Sequence, residues 1–523
     1  MERRWLVPFV AAALVAGATT AAAADESVVR TGDGAVRGEV SGHTRVFEGI
    51  PYAAPPVGEG RWRDPRPPRR WDGVRDATAP GPACAQLPGE LPTGSDSEDC
   101  LYLNVTTPSQ AGRKPVVVWV HGGGFFMGAG SNYDARRFAE RGDVVVVTVN
   151  YRLGVFGFFG LPGLAGSGTF GLRDQQAALR WVRGNIAAFG GDPRNVTLAG
   201  QSAGAMSVCA QLTSPGAAGL FDKAVLQSGS CETGWLDNFE YRHEREATIF
   251  QPLDVVAAHG TEVAHELGCA DVACLRGKPV GELMSQQQAF VQPAYGTAVL
   301  PSYPGDAVRK GRFHRVPVLS GTTRDEARPW IAAYDNGAPM SASTFETVLG
   351  ETFGARAEAV RAVYSPERYG SAALAWAALV TDRMWSCTQN STARGLAART
   401  EVYGYEFADP APPKLSPVPP RMDLGAQHAS ELWDFFDLGG RAPKFTEAQQ
   451  RLSDRMIHDW SAFAATGDPG WPRSGYVQSF APDRVGPVDL AAEHHCGFWD
   501  QGRRSWTISD AASSRTSAGS AGL

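Results

Sequence analysis

One serine of the chain has a glycine two residues away on each side, in the stretch VTLAGQSAGAMS from Val196 to Ser207. The apolar residues before it are typical of a buried strand. A sharp turn from strand to helix leaves no room for Cβ atoms beside its tip, and glycine meets that requirement. We therefore predict that Ser202 lies exposed at such a turn, where its hydroxyl can act as a nucleophile. The chain has 60 glycines in 523 residues, so the motif alone can arise by chance and its context decides.

A serine nucleophile needs hydrogen-bond donors for the oxyanion that forms on its substrate. The stretch WVHGGGFFMG contains three consecutive glycines, which leave backbone N–H groups uncovered. We predict an oxyanion hole formed by the N–H groups of Gly123, Gly124 and Ala203, the residue after the serine. A flexible loop beside a tight packing contact is the alternative. For His121, in the same stretch, we expect a structural hydrogen bond.

The base is expected to be a histidine after the serine, because folds of this kind place serine, acid and histidine in that order. His428, in LGAQHASEL, follows the last strand-like run and a proline-rich loop that can carry it back over the sheet edge. His458 lies within a helical pattern and is predicted to be a surface or packing residue. The other histidines after the serine are His243, His259, His265, His314, His494 and His495.

The acid that orients the histidine should lie on a loop at a strand end between serine and base. The stretch VLSGTTRDEARPW offers Asp325 and Glu326. Composition does not choose between them, and a surface ion pair is the alternative role for either.

Short apolar runs that alternate with helical patterns must position these residues. The runs predict strands buried on both faces at residues 115–120, 144–149, 196–200, 223–228, 316–321 and 401–407. Their alternation with helices predicts a mostly parallel sheet with helices on both faces, and such sheets bind ligands outside the carboxyl ends of their strands. The candidate residues follow several of these runs directly and gather at that edge. Residues 445–470 predict a long amphipathic helix.

The chain begins with the pattern of a secretory signal. Arg3 and Arg4 are followed by an apolar run and by small residues that end in alanines, with an expected cut near Ala24. An uncleaved membrane anchor is the alternative, but the run is short and rich in alanine. We predict a signal over residues 1–24, a single domain over residues 25–505, and a disordered tail rich in serine, alanine and glycine over residues 506–523.

Composition narrows the class of protein. The formal charge is −6 at pH 7, no sustained basic run exists, and nucleic acid is not an expected partner. Hydrophobic residues make up 43% of the chain, which is ample for a large core. Lysine is scarce beside arginine, which is typical of a GC-rich genome. Together with the signal, this predicts a secreted bacterial protein that has no membrane span once the signal is removed.

Eight cysteines in an exported chain indicate disulfides rather than a metal site. A disulfide between Cys84 and Cys100 would stabilise the fold by about 3 kcal/mol, because it restricts the unfolded chain. Cys269 and Cys274 can close a smaller loop. Zinc is the alternative, but no paired C-x2-C sets or histidine clusters accompany the cysteines. The segment 494–496, two histidines and a cysteine, comes nearest to a metal site.

These motifs together resemble the type-B carboxylesterases, the cholinesterase-like branch of the α/β-hydrolases, over nearly all of the sequence after the signal. Further matching stretches are FEGIPYAAPPVGEGRW, SEDCLYLNV, NYRLGVFGF, GLRDQQAALRWV, NIAAFGGDPRNVTLAGQSAG, LQSGS and WSAFAATGDP. So many matches in the same order exclude coincidence. The resemblance implies an α/β-hydrolase fold, in which a mostly parallel central sheet is flanked by helices and interrupted by large loop and helical insertions.

The resemblance also implies roles for individual residues. Ser202 would be the nucleophile, Glu326 the acid and His428 the base of a serine hydrolase. Ser228 and Glu431 would hold the acid and the histidine loop. No cofactor is implied.

Pocket walls and disulfides follow from the same resemblance. Trp235 and Trp330 fall where relatives have aromatic pocket walls, with ordinary core packing as the alternative. Disulfides like those of the family would join Cys84 with Cys100, Cys269 with Cys274, and Cys387 with Cys496. Cys209 and Cys231 are left over, either free or paired with each other.

Three departures from the family pattern bear on the substrate. Gln201 stands where many relatives have glutamate, which removes a negative charge beside the serine. Ala327 replaces the usual glycine after the acid. Residues 85–99 lack the tryptophan on which cholinesterases stack a quaternary ammonium, so a specialist for choline esters is not expected.

The sequence therefore predicts a secreted serine esterase that hydrolyses small or medium apolar esters through an acyl-enzyme. A lipase or polymer-ester hydrolase of the same fold is the first alternative, although no lid of exposed apolar residues is plain in the sequence. A non-catalytic adhesion protein is the alternative from another class. Such members tend to lose the serine or the histidine, and this chain keeps both. Amide hydrolysis by the same three residues also stays open.

Overall fold

The computed structural model describes Met1 and residues 25–89, 94–109, 112–416, 419–473 and 475–503. The predicted tail lies outside these residues, and so does the predicted signal except for Met1.

Among the described residues, eleven strands form the sheet at the centre of the molecule. In chain order the strands are β1 (Glu39–Ser41), β2 (Thr44–Pro51), β3 (Tyr102–Pro108), β4 (Lys114–Val120), β5 (Val145–Val149), β6 (Gly191–Gln201), β7 (Lys223–Gln227), β8 (Val318–Thr323), β9 (Val402–Phe407), β10 (Val477–Ala481) and β11 (Arg484–Val488). Across the sheet they follow the order β11-β10-β9-β8-β7-β6-β4-β5-β3-β2-β1. Neighbours from β10 to β5 pair in parallel, whereas β11 and the strands β3, β2 and β1 pair antiparallel.

Helices cover both faces of this sheet, which confirms the predicted α/β architecture. Short strands outside the sheet pair Val28–Arg30 and Val74–Asp76 with Ala35–Arg37, Gly234–Trp235 with Ala247–Thr248, Gln251–Pro252 with Ala294–Tyr295, and Tyr133–Asp134 with Asp437–Leu438. The α-helices are α1 (Arg136–Gly142), α2 (Gly154–Phe158), α3 (Phe170–Asn185), α4 (Ala203–Thr213), α5 (Leu253–Glu266), α6 (Val272–Gly277), α7 (Val280–Met284), α8 (Pro304–Arg309), α9 (Arg328–Ile331), α10 (Ala342–Phe353), α11 (Ala357–Val363), α12 (Pro366–Tyr369), α13 (Ala372–Val380), α14 (Cys387–Ala397), α15 (Glu447–Thr466), α16 (Leu490–Glu493) and α17 (Cys496–Arg503).

The central strands are apolar along their whole length because helices bury both faces. Every residue of β5 and of β7 is buried. In β4, Val116, Val118 and Val120 belong to the hydrophobic cluster on one face, and Val117 and Trp119 to the cluster on the other. Because successive side chains of a strand point to opposite faces, the same sheet contributes to two hydrophobic cores, one on each face.

The predicted amphipathic helix is α15. It begins with a capping box, in which the Thr446 hydroxyl accepts the Gln449 N–H and the Gln449 side chain accepts the Thr446 N–H. It ends at Gly467, whose left-handed backbone (φ 85°) returns its N–H to the Phe463 carbonyl. The apolar face, with Met456 buried, packs against the sheet.

The register of the parallel strands sets the level of their carboxyl ends. Gln201 of β6 pairs with Gln227 of β7, Gln227 with Gly321 of β8, and Gly321 with Tyr405 of β9. The residues that follow these positions emerge in one row at one edge. Two long insertions leave from the same edge, residues 228–317 between β7 and β8 and residues 324–401 between β8 and β9.

All eight cysteines form disulfides, Cys84–Cys100, Cys209–Cys231, Cys269–Cys274 and Cys387–Cys496. Three are the pairs that the resemblance implied, and the fourth joins the two cysteines that the sequence left open. Cys209 lies in α4 and Cys231 shortly after β7. Among the described residues, no helix is both long and apolar enough to cross a membrane.

His494, the first residue of the segment 494–496, is buried between two carboxylates. Its Nδ1 lies 2.6 Å from Asp382 Oδ1 and its Nε2 lies 2.7 Å from Glu406 Oε1. Burial opposes the charge of the ring, but the two carboxylates raise the pKa of His494 well above its ordinary value. The ring is therefore a cation at neutral pH, and it holds α16 to β9 and to the helical segment of Asp382.

We expect the His494→Gln variant to be destabilised by about 3–5 kcal/mol, because it leaves two buried carboxylates without their counter-charge. A histidine with a raised pKa stabilises the fold fully below its unfolded pKa, and this contribution is lost only as the pH rises through the folded pKa. The loss should therefore be present at pH 6 and pH 7, measured by denaturant unfolding. His458→Gln, at an exposed position on α15, is the control and should change stability by less than about 0.5 kcal/mol. Equal stability of the two variants would contradict the expectation.

Candidate active site

Ser202 lies at the turn between β6 and α4, as its flanking glycines predict. Its backbone has φ 56° and ψ −126°, a conformation that non-glycine residues rarely adopt and that often marks functional sites. A Cβ atom at Gly200 would lie 2.5 Å from the Gly204 carbonyl carbon, and one at Gly204 would lie 2.0 Å from the Val120 carbonyl oxygen. The two glycines therefore allow the turn to press against the end of β4. The Ser202 side chain stays half-buried at the tip.

Glu326 and His428 form a hydrogen-bonded pair. Glu326 is completely buried, and its Oε2 accepts a hydrogen bond from Nδ1 of His428. Its other oxygen, Oε1, accepts the Thr323 N–H at 2.9 Å. Since Nδ1 carries the proton toward the carboxylate, Nε2 of the imidazole presents its lone pair. Of the two acids that the sequence offered, Glu326 faces the histidine, and Asp325 faces the arginines on either side of it in the chain.

In this structure Nε2 of His428 accepts a hydrogen bond from Gln201, the residue before the serine. The Gln201 side-chain nitrogen lies 3.1 Å from Nε2. The residues that the structure describes include no hydrogen bond between Ser202 Oγ and the histidine. The lone pair that a general base needs thus accepts a hydrogen bond from a neutral amide.

The loop of three glycines lies against the serine. A Cβ atom on Gly122 would lie 3.0 Å from Ser202 Cβ. Gly123 and Gly124 have positive φ of 98° and 59°, and a Cβ atom on Gly123 would meet the Met127 carbonyl oxygen at 2.2 Å. Within the described chain no acceptor takes the N–H of Gly123 or Gly124. The N–H of Ala203 is equally available, because the first N–H groups of a helix have no partner within it.

His121 makes the structural hydrogen bond that the sequence led us to expect. Its Nδ1 donates to the Gly122 carbonyl at 2.8 Å, and its ring stacks on Tyr151 with centroids 4.4 Å apart. Burial lowers the pKa of His121 to about 4, although the Gly122 carbonyl acts in the opposite direction. The ring is neutral at pH 7 and fixes the start of the glycine loop.

Neither Ser228 nor Glu431 hydrogen-bonds to Glu326 or His428 within the described residues, although Glu431 is close enough to both for their charges to affect it. Ser228 follows β7 with a positive φ of 51° and donates its N–H to the Gly321 carbonyl at 2.8 Å. Its Oγ is buried without a partner there, as is Oε2 of Glu431. Glu431 Oε1 accepts from Gln227 at 3.3 Å. The roles that the resemblance implied for both residues remain predictions.

Stacked aromatic rings stand beside the histidine. Trp330 and Trp385 stack at 5.3 Å with an interplanar angle of 21°, and their centroids lie 5.2 and 5.9 Å from that of His428. Phe239 packs against both indoles, and Trp235 lies 6.2 Å from Trp385. We call these four rings the aromatic wall.

Sequence reasoning missed two members of the aromatic wall, Trp385 and Phe239. Trp385 is carried by a π-helical segment, Thr381–Ser386, and Phe239 by an irregular loop. Neither segment has the periodicity of a regular element. The one available signal was that Trp385 lies two residues before Cys387, whose disulfide ties this segment to Cys496.

Glu431 generates a prediction about stability. Burial, together with the negative charge of Glu326, raises the pKa of Glu431 to about 7, while His428 acts against this. The folded state therefore holds this proton more tightly than the unfolded state, so stability falls as the pH rises from about 4.5 to about 7. Glu431→Gln cannot ionise and keeps an oxygen for Gln227. We expect the variant to be more stable than the wild type at pH 8, by about 3 kcal/mol, with little gain at pH 5.

Denaturant unfolding at the two pH values measures this difference. Glu140→Gln, the same change at an exposed position of α1, is the control and should show no such dependence. A gain for Glu431→Gln that is the same at pH 5 and pH 8 would refute the assigned ionisation.

The chain is similar to known proteins over most of its length. The carboxylesterase family matches residues 25–485. The para-nitrobenzyl esterase of Bacillus subtilis (strain 168) is 37% identical over 470 residues, which cover 85% of this chain and 92% of that protein. The cocaine esterase of Homo sapiens is 33% identical over 516 residues, which cover 89% and 88%.

A solved structure has the same fold. The structure of a thermophilic PNB esterase superimposes on this chain with a TM-score of 0.74 and 32% sequence identity. The match covers 90% of this chain and 99% of the other. The predicted α/β-hydrolase fold is thereby confirmed. The chain belongs to the carboxylesterase family.

Proposed function

We propose that this protein is a secreted serine carboxylesterase that hydrolyses small or medium apolar esters through an acyl-enzyme. The observation that carries the proposal is the buried Glu326 carboxylate bonded to Nδ1 of His428, in a chain whose Ser202 stands at a strained strand-to-helix turn. Esterase activity is supported further by two relatives, a para-nitrobenzyl esterase and a cocaine esterase.

The acylation step uses each of these groups. As an ester binds, Nε2 of His428 exchanges the Gln201 amide for the Ser202 hydroxyl, since catalytic hydrogen bonds often form only with substrate present. Ser202 Oγ bonds to the ester carbonyl carbon while Nε2 takes its proton. Glu326 stabilises the resulting imidazolium.

The oxyanion of the tetrahedral intermediate accepts the N–H groups of Gly123, Gly124 and Ala203. Removal of one such donor in a serine protease costs about 3–4 kcal/mol, so three fixed donors supply a large part of the rate. The intermediate collapses as Nε2 of His428 gives its proton to the leaving alcohol. A water molecule then repeats both steps on the acyl-enzyme and releases the acid.

The surroundings of the serine favour neutral, apolar substrates. The aromatic wall lies on one side of His428, and Gln201 adds no charge beside the nucleophile. A small-molecule ester is the proposed partner. No cofactor takes part in this mechanism.

Secretion is supported by two observations. The N-terminal residues have the pattern of a signal, and all eight cysteines are paired. Disulfides form and persist in oxidising compartments and are rare in the cytosol.

We expect Ser202→Ala to lower kcat by about 10⁶-fold, by analogy with subtilisin, because the nucleophile is removed. The measurement is hydrolysis of p-nitrophenyl esters from acetyl to palmitoyl by the mature protein and by the variant. An optimum at short or medium chains supports the proposed carboxylesterase, and an optimum at palmitoyl would favour a lipase. Absence of turnover on every ester by folded wild-type protein would favour the non-catalytic alternative.

The aromatic wall should limit the size of the ester. Trp385→Ala removes a ring that contacts Trp330, Phe239 and His428, and we expect the preference to shift toward longer chains, by about tenfold in the ratio of kcat/KM values. Trp376→Ala is the matched control, because Trp376 is equally buried in the same cluster but packs on Phe345 and Phe353. An identical chain-length profile for wild type and Trp385→Ala would argue against this role of the wall.

A further inference from the structure

The segment that carries His428 reaches the site at the end of a long irregular connection. Residues 408–427 follow β9 and form no helix or strand among those described. The hydrogen bond between Nδ1 and Glu326 holds one ring atom, but the direction of Nε2 also depends on the backbone at the histidine. Contacts from a neighbouring segment must therefore fix the backbone of residues 425–428.

The residue before the acid makes the required contacts. The N–H of Asp325 donates to the Ala426 carbonyl at 2.9 Å, and Asp325 Oδ2 accepts the Ala426 N–H at 2.9 Å. A third bond runs from the His428 N–H to the Glu326 carbonyl at 3.3 Å. These three hydrogen bonds join the loop of the acid to the loop of the base. Asp325 is 8% exposed.

Gly425 allows this close approach. Its φ is 51°, and a Cβ atom there would lie 2.3 Å from Asp325 Oδ2 and 2.8 Å from Arg328 Nη1. Any other residue would push the base loop away from the carboxylate.

Two arginines hold the Asp325 carboxylate in place. Arg328 Nη2 lies 2.6 Å from Oδ1, and Arg324 Nη2 lies 3.2 Å from Oδ2. Arg328 also reaches Asp423 Oδ2 at 3.0 Å, two residues before Gly425. The carboxylate thus has partners on the acid loop and on the base loop at once.

We propose that Asp325 is a positioning residue for His428, acting through Ala426 and Gly425 to aim Nε2 at the serine and at the leaving group. The proposal rests on the proposed function. Without the contacts of Asp325 the base loop keeps its bond to Glu326 but loses the backbone that directs the ring. The expected defect is one of proton transfer rather than of substrate binding.

The chain offers a matched control far from the site. Asp222 donates its N–H to the Val196 carbonyl at 2.7 Å, accepts the Val196 N–H on Oδ2 at 2.8 Å, and pairs with Arg183 at 3.1 Å. The two hydrogen bonds to one backbone residue have the same form as those of Asp325 to Ala426, although Asp222 pairs with one arginine rather than two. They lie at the amino ends of the apolar parts of β6 and β7. Asp222→Ala removes equivalent bonds and leaves the base loop untouched.

The experiment compares two esters with the same acyl group, a p-nitrophenyl ester and an ethyl ester. p-Nitrophenolate leaves readily without a proton, whereas ethoxide needs the proton that His428 returns as the C–O bond breaks. kcat/KM reports acylation, so a misdirected imidazole impairs both substrates and the ethyl ester more. We expect Asp325→Ala to lower kcat/KM by about 10²-fold on the p-nitrophenyl ester and by about a further tenfold on the ethyl ester, with KM nearly unchanged.

Three further variants complete the test. Asp325→Asn keeps an oxygen for the Ala426 N–H and should fall between wild type and Asp325→Ala. Gly425→Ala breaks the contact from the other loop and should give the same leaving-group signature, and it decides the matter if Asp325→Ala does not fold. Asp222→Ala should leave the ratio of the two esters at its wild-type value.

A wild-type ratio in folded Asp325→Ala or in Gly425→Ala overturns the proposal, and so does an equal change of that ratio in Asp222→Ala. Failure of the proposed function looks different, because the wild type would then hydrolyse neither ester.

Discussion

The parallel pairing of β4, β6, β7 and β8 is the constraint on which the site depends. Hydrogen bonds between these strands bring their carboxyl ends to one level, so that Ser202, Ser228 and the acid loop emerge side by side. Gly200 and Gly204 are needed for the same reason, because the turn at Ser202 can contact the end of β4 only where no Cβ atom intervenes. The strained backbone of Ser202 is held by the sheet on one side and by α4 on the other.

The buried carboxylates differ in how many hydrogen-bond donors and opposite charges face them. Glu326 accepts hydrogen bonds from the Thr323 N–H and from His428, whereas Glu431 lies near both members of that pair with one oxygen that has no partner in the part of the chain that the structure describes. Farther away, His494 gives two buried carboxylates a shared cation. The contrast follows from what each group is bonded to, since a buried carboxylate tolerates ionisation only when charge or N–H groups face it.

The sequence was most informative where the structural cause is local. Glycines two residues from Ser202, the run of glycines at 122–124 and the apolar strands each follow from the geometry of a few adjacent residues. Asp325 and Glu326 could not be separated in this way, because the direction of each carboxylate depends on a loop some hundred residues later in the chain. Whether Cys209 and Cys231 are free or paired also stayed open, because the answer depends on how α4 packs beside the segment that follows β7. Trp385 went unnoticed because a π-helical turn has no periodicity that a sequence displays.

The two insertions at the carboxyl edge, residues 228–317 and 324–401, carry groups that the sheet itself does not supply. The first begins at 228 after β7 and the second at 324 after β8, two residues before Glu326, and together they supply all four rings of the aromatic wall. Ser202 and Glu326 follow strands of the sheet closely, whereas the aromatic rings beside His428 lie on segments that loop out from it. An insertion can therefore change in length or sequence, and with it the rings that stand beside His428, while the pairing of the strands that precede Ser202 and Glu326 stays the same.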